Sequence, residues 1–323
     1  MSRAVIVVSG LVAVMLVTSA VAQAQDYPTR SIRMVLPFPA GGGSDLIARV
    51  TAQKLTSQLG QQVVVDNRAG ASGNIAAEIV AKSPPDGYTV LFGNSSMAIV
   101  PAIYRKLPFD PVRDFLPISM ASSYPFTLVA HPSLPVRNLK EFIALAKAKP
   151  DALTYASAGA GTMAQFAMEL LRVKTGAKMV HLPYKGAAPA ALGIMTGEAQ
   201  CGFLVMPVAQ VQIKAGKLRG LGVAAPKRSV VMPEMPTMQE GGVDGHIALQ
   251  WNGLFVPAKT PQSIADRLYK EMVRALGDAE VKQRFAAEGA DPVGSSPAEF
   301  AAFYRAEADK WADVARRSGT RVD

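Results

Sequence analysis

The chain is poor in the residues that most often announce chemistry. Its 323 residues include one cysteine and three histidines. Cys201 has no partner for an intrachain disulfide, so stability outside the cytoplasm would rest on a packed core, which this length permits. It lies in the apolar run AQCGFLVM (199–206) and is expected to be a buried, inert thiol. His131, His181 and His246 are scattered, and none has a second ligand-type residue at metal spacing. There is no G-x-S-x-G elbow and no G-x-x-x-x-G-K-[ST] loop. Asp110 and Asp114 in DPVRDF read as turn and cap residues rather than a catalytic pair. Nothing calls for a cofactor or a metal. The net charge of +9 is dispersed, with no run of five or more Lys/Arg and no basic stripe interleaved with aromatics. That argues against nucleic acid and leaves a mild attraction for anions.

Only one apolar run approaches the length of a membrane span, and it is N-terminal. Arg3, the uncharged stretch Ala4–Val21 and the A-x-A site Ala22-Gln23-Ala24 read as a signal peptide over residues 1–24, cleaved near Ala24. A periplasmic, soluble mature chain is expected.

Short β-branched runs then alternate with helical patterns, the signature of parallel α/β units. Strands are expected at 32–36, 63–65 and 88–92, with helices at 46–59 and 74–82. The Pro-rich link 101–117 leads to an extended crossover at 126–130. Beyond it, strands at 153–157, 179–182, 201–205 and 220–224 alternate with further helices, and 247–256 reads as the return crossover. The remaining chain reads as two helices without a strand. They cannot stand alone and should pack on the first unit. The expected division is lobe I over 25–126 and 248–323, and lobe II over 127–247.

The most informative stretch is IRMVLPFPAGGGSD (32–45), a strand that runs through three glycines into a helix. Such a turn gathers backbone N–H groups and a helix N-terminus at one point, a site for a carboxylate or phosphate. The loop SAGAGT (157–162) has similar chemistry on a separate strand–helix unit. Ligands of open parallel sheets bind beyond the carboxyl ends of strands, and residues 67–73, 94–96 and 184–186 mark other such ends. Candidate ligand-binding residues are Phe38, Ala40, Gly41, Gly42, Asp45, Ser95, Ser157, Gly161, Thr162, Tyr184 and Phe203. Asp45 is ambiguous: a carboxylate at a helix start would position the loop or cap the helix rather than attract an anion. Ser157 and Thr162 also fit as turn residues, and Phe38, Tyr184 and Phe203 as core.

The stretches YPTRSIRMVLPFPAGGGSD (27–45), VVVDNRAGASGN (63–74), SPPDGYTVLFGN (83–94), LTYASAGAGT (153–162), HLPYKGAAPA (181–190) and WNGLFVPAKTP (251–261) resemble the Bug family, the extracytoplasmic solute-binding proteins of tripartite tricarboxylate transporters. The resemblance covers essentially the whole chain after the signal peptide. It implies an α/β two-lobe periplasmic binding fold (type II-like) with two crossing strands as hinge. It also implies a small organic carboxylate gripped between the loops at 38–45 and 157–162, with Tyr184 and Phe203 on the remaining wall. The partners implied are membrane permease subunits, and a monomer is expected. One departure stands out. In GEAQCGFL (197–204), Gln200 and Leu204 occupy positions where the family often has acids. With Leu204 facing the cleft, a ligand ammonium would lack a partner, so a plain carboxylate is expected over an amino acid. A carboxylate sensor docking on a receptor kinase is the alternative function, and an exported hydrolase using Ser157 or Ser95 a remoter one.

Overall fold

The computed structural model describes residues 27–41 and 43–322; the expected signal peptide (1–24) and Gly42 lie outside them. The chain opens β1 (Ile32–Leu36), α1 (Gly43–Leu59), β2 (Val63–Asn67), α2 (Asn74–Ala81), β3 (Thr89–Asn94) and a short α3 (Val100–Ile103). Strand β4 (Phe115–Ala130) is the longest. It leads to α4 (Leu139–Ala148), β5 (Thr154–Ser157), α5 (Met163–Thr175), β6 (Val180–Pro183), α6 (Ala187–Met195), β7 (Cys201–Val205), α7 (Met206–Lys214) and β8 (Arg219–Val223). The return is β9 (Leu249–Pro257), followed by α8 (Gln262–Gly277), α9 (Ala279–Ala287), the two-residue β10 (Asp291–Pro292) and α10 (Pro297–Ser318).

The strands follow one path, β2-β1-β3-β9-β4-β7-β5-β6, with β8 and β10 both beside β4. β1 pairs in parallel with β2 and β3, and β5 with β6 and β7, as short βα units require. The two parallel groups are joined through β4. Its residues 115–125 pair with β9, and Phe126–Ala130 pair with β7. Where it passes between them, the Phe126 N–H donates to the Ala248 carbonyl (3.2 Å) and the Ala248 N–H to the Ala224 carbonyl (2.9 Å). The outgoing and returning chains therefore cross side by side. The result is an α/β fold of two lobes linked by two strands.

β4 begins well before the run 126–130, inside a segment that reads as a Pro-rich link. Pro117 sits where the β4–β9 register shifts, and Pro125 ends the ladder opposite Leu249. Both positions tolerate a missing N–H. The C-terminal region also differs from expectation, with three helices and a short strand instead of two helices. Asp278 splits the first helical stretch, its carboxylate accepting from the N–H groups of Glu280 and Val281.

α8 and α9 pack on α1 in lobe I, but α10 does not confine itself to that lobe. Its Trp311 meets Phe166 of α5 edge to face at 6.0 Å, while Phe300 and Tyr304 surround Trp251 of β9. One core cluster therefore runs from Leu91 and Phe255 of lobe I to Phe166 and Phe203 of lobe II. The second face of each sheet has its own cluster, under α1 and α8 in lobe I and under α6 in lobe II. Cys201 is buried, and burial pushes its thiol pKa up. Among the described residues no helix is long and apolar enough to cross a membrane.

Candidate functional site

The turn after β1 is held by the first turn of α1. Asp45 Oδ2 accepts from the Gly41 N–H (2.9 Å) and from Arg49 Nε (2.9 Å). Its Oδ1 accepts from Asn67 Nδ2 (2.8 Å), which also donates to the Phe38 carbonyl (2.9 Å), while Arg49 Nη2 donates to Asn67 Oδ1 (3.0 Å). Asp45 is 2 % exposed. Burial alone would raise its pKa, but the hydrogen bonds from Arg49, Gly41 and Asn67 outweigh it and hold the carboxyl below the usual range. Asp45 is thus a holder of the turn, with its oxygens committed. The Gly41 N–H, expected to face a ligand, is committed as well. The first-turn amides of α1 remain the donors that the helix itself does not use.

The turn after β5 repeats this construction. The Gly161 N–H donates to Gln165 Oε1 (2.8 Å), again a side chain four positions on. Thr162 Oγ1 donates to the Gly159 carbonyl (2.7 Å), and Ser157 Oγ accepts from the Gly159 N–H (3.1 Å). Ser157 Oγ also lies 2.6 Å from His181 Nε2. His181 stacks on Tyr155 at 4.8 Å, as their register on adjacent strands β5 and β6 requires. The Tyr155 hydroxyl donates to Glu169, which is paired with Arg172 (2.6 Å). Burial, reinforced by Arg172, pushes the His181 pKa down to about 4, so the ring is neutral near pH 7.

A third strand end joins the two turns. Gly70, Ala71, Ser72 and Gly73 all have positive φ (128°, 46°, 56° and 95°), an unusual run that two non-glycine residues sustain only under outside constraint. The constraint is visible on both sides. A Cβ on Gly73 would lie 3.1 Å from Pro37, next to the first turn. Ser72 Oγ donates to the Ala160 carbonyl of the second turn (2.9 Å) and lies 3.2 Å from the Tyr104 hydroxyl. Gly161, at φ +72°, is flush against Ile103 and Ser72: an added Cβ would stand 2.8 and 2.9 Å from them.

The other candidates fall elsewhere. Ser95 is fully buried and donates to Gln250 Oε1 (3.0 Å), which places it in the floor between the strands. Ala40 and Gly41 are exposed and Phe38 is half-buried against the α1-side core. Tyr184 is half-buried, with its hydroxyl over Gly193 of α6, while Phe203 is a core residue stacked on His246 at 5.3 Å and does not form the expected wall. Alternation along β7 explains this, since Cys201 and Phe203 face the main core while Leu204 enters the α6-side cluster. Leu204 therefore does not face a cleft and does not disfavour an amino-acid ligand. Asp110 and Asp114 act as turn residues, with Asp110 Oδ1 accepting from Val112 and Arg113 N–H and Asp114 Oδ2 from the Asp110 N–H. Glu288 was not anticipated: its Oε2 lies 3.9 Å from where a Gly43 Cβ would stand, so one carboxylate already borders the start of α1.

Ser72, Tyr104, Gln165 and His181 shape the site and were not among its sequence candidates. Gln165 had a signal, because it stands four residues after Gly161 as Asp45 does after Gly41, and Ser72 lies in the strand end 67–73. Two cavities, of about 470 and 430 Å³, open on lobe II around Arg219 and Met235 and around Arg228 and Glu240. Neither is lined by a residue of these turns. The strand ends are the better candidate, because two helices start there and Ser72 bonds to the second turn.

Comparison with known proteins agrees with this architecture. Residues 47–319 match the family described as Tripartite tricarboxylate transporter family receptor. Protein BugT of Bordetella pertussis is 37 % identical over 301 residues, covering 93 % of this chain and 92 % of that protein. Among solved structures, Rpa4515 of R. palustris with adipate superposes with a TM-score of 0.83 at 34 % identity, covering 91 % of this chain and 98 % of that one. MatC from Rhodopseudomonas palustris with bound malate gives a TM-score of 0.79 at 30 % identity, covering 89 % and 99 %. The chain therefore belongs to the tripartite tricarboxylate transporter family of receptors.

Proposed function

We propose that this receptor captures a small organic carboxylate between its two lobes in the periplasm and presents it, without turnover, to the permease subunits of a tripartite transporter. The lobes are taken to divide at 126/127 and 247/248, with the mature chain starting after Ala24 and acting as a monomer. The observation that carries the reading is the strand end 70–73, which touches both sides: Ser72 bonds to Ala160 of the second turn and Gly73 lies against Pro37 beside the first. The binding contacts are proposed to come from the first-turn amides of α1 and α5, with Ser157 and Thr162 bordering the second, and Gly42 kept as a candidate on its place in the sequence. Gly41, Asp45 and Gly161 hold the turns in place. The structures of relatives with adipate and with bound malate support a small carboxylate. Each N–H to a carboxylate oxygen is worth about 1.5–3 kcal/mol, so four or five suffice for micromolar binding after ordering costs.

A thermal-shift series with adipate, malate and citrate, beside the matching neutral amides, tests this. A ligand at 100 times its Kd stabilises the native state by about 2.7 kcal/mol. At least one of the acids should raise the melting temperature, and its amide should not. Equal shifts from acid and amide, or none from any acid, would refute the carboxylate reading.

A further inference from the structure

We propose that His181 is a positioning residue of the carboxylate site: it carries its proton on Nε2, donates it to Ser157 Oγ, and so turns the serine hydroxyl proton away from the ring, where a carboxylate can compete for it. This rests on the reading that the turn 157–162 contacts a carboxylate.

The geometry at Ser157 motivates it. The side chain is fully buried, and its oxygen already accepts one hydrogen bond, from the Gly159 N–H at 3.1 Å. His181 Nε2 stands 2.6 Å away. A serine hydroxyl has one proton and two acceptor sites. If the proton went to His181, the group left facing a carboxylate would be a lone pair, and the turn would repel its guest. If His181 donates instead, both acceptor sites are filled by Gly159 and His181, and the proton is directed elsewhere. Within the turn the Ser157 hydroxyl donates to the Gly159 carbonyl (3.0 Å), which also accepts from Thr162 Oγ1 (2.7 Å), so a ligand competes with that one acceptor. A carboxylate is the stronger competitor for the serine proton, because hydrogen bonds to ionised acceptors are about twice as strong as neutral ones.

His181 is built to hold this role. The ring is clamped by its stack on Tyr155, whose hydroxyl is tied to Glu169, and Glu169 is held by Arg172. Burial together with the Arg172 charge keeps the imidazole neutral, so only one ring nitrogen bears a proton and the choice between them is decisive. The chain Arg172–Glu169–Tyr155–His181–Ser157 thus runs from α5 across β5 and β6 to the turn.

Two measurements test the proposal. The first is ¹⁵N NMR of the imidazole in the ligand-free protein at pH 7. The His181 ring should be the Nε2–H tautomer; an unprotonated Nε2 overturns the proposal whatever the ligand. The second is a double-mutant cycle by calorimetry with adipate or malate, whichever binds the wild type more tightly. His181→Phe and Ser157→Ala should each weaken binding about tenfold or more. In the Ser157→Ala background, His181→Phe should add less than about twofold, because its effect passes through the serine. His181→Gln, which offers a side-chain N–H near the same place, should recover part of the loss, and thermal unfolding of the free variants separates folding from positioning. Losses that multiply in the double variant would show a merely structural histidine and overturn this inference alone. If Ser157→Ala leaves affinity unchanged, or neither acid binds, the site reading itself fails and this inference with it.

Discussion

The two glycine turns share one construction and differ in charge. In each, a glycine N–H is taken by a side chain four residues further on, Asp45 for Gly41 and Gln165 for Gly161. In lobe I the holder is a buried carboxylate, neutralised by Arg49 and bonded to Asn67. In lobe II it is a neutral amide, with the charges set back on Glu169 and Arg172. Both solutions satisfy a backbone donor without leaving an uncompensated negative charge where an anion is to bind. The difference also extends to crowding. Gly41 (φ +85°) has nothing within 4 Å of a built Cβ, whereas Gly161 is pressed against lobe I. The first turn is shaped from within its own lobe and the second by contact across the cleft.

Valine at each glycine gives the largest test of that contrast. Gly161→Val would drive a side chain into Ile103 and Ser72 and is expected to lower carboxylate affinity by about 100-fold or more, roughly 2.7 kcal/mol, by keeping the lobes apart. Gly41→Val should cost about 1–2 kcal/mol of stability from left-handed strain, with a smaller loss of affinity. Calorimetry beside urea unfolding reads both, and equal affinity losses would erase the distinction.

Exchanging the holders comes next. Asp45→Asn turns one oxygen into a donor facing Asn67 or Gly41 and should cost about 2–3 kcal/mol in urea unfolding. Gln165→Glu places an unpaired carboxylate under the second turn and should reduce carboxylate affinity about tenfold. If Gln165→Glu leaves affinity intact, charge is not what separates the two turns.

Acid should also act on the lobes in sequence. Burial depresses His246 to about 4, with the Ala167 carbonyl bonded to its Nε2 (2.9 Å) working weakly the other way, and His181 is held down similarly. Because both folded pKa values lie below the unfolded value, their stabilisation is full above pH 6.5 and declines as pH falls toward 4. The buried His246 accounts for about 2 kcal/mol between pH 7.5 and 5, and the half-buried His181 for less. Asp45 and Asp66 are likewise depressed, so their contribution holds above the usual carboxylate range near 3.9 and is lost only as pH falls below it. Hydrogen exchange at pH 5 should show β5 and β7 amides losing protection before those of β1 and β2.

The smallest effect concerns Glu288, the carboxylate beside the start of α1. Glu288→Gln should raise affinity for a dicarboxylate a few-fold without altering stability, and the gain should shrink with added salt. A loss of affinity would mean that Glu288 assists binding.

Much of this arrangement was legible in the sequence, and the gaps have physical causes. The βα alternation, both crossover segments and both glycine turns follow from patterns of two to four residues. The extent of β4 did not, because Pro117 and Pro125 look like breakers until a register shift and a ladder end accommodate them. The split at Asp278 is a local cap hidden in a continuous helical pattern. Side-chain direction was harder. Phe203 was expected on the cleft and Leu204 was weighed there, yet strand alternation along β7 turns both into core residues. Ser72, with the Tyr104 hydroxyl beside it, reaches the second turn only through a long-range approach that no short motif encodes, and the bridging of the lobes by α10 depends on Trp311 finding Phe166.

Backbone amide NMR of the whole receptor, titrated with adipate and with malate, tests the central claim most directly. An anion held between the turns should shift the amides of residues 43–45 and 162–164 together, at one stoichiometry and one affinity. Shifts confined to one turn, or gathered instead around the Arg219 and Met235 cavity of lobe II, would contradict it.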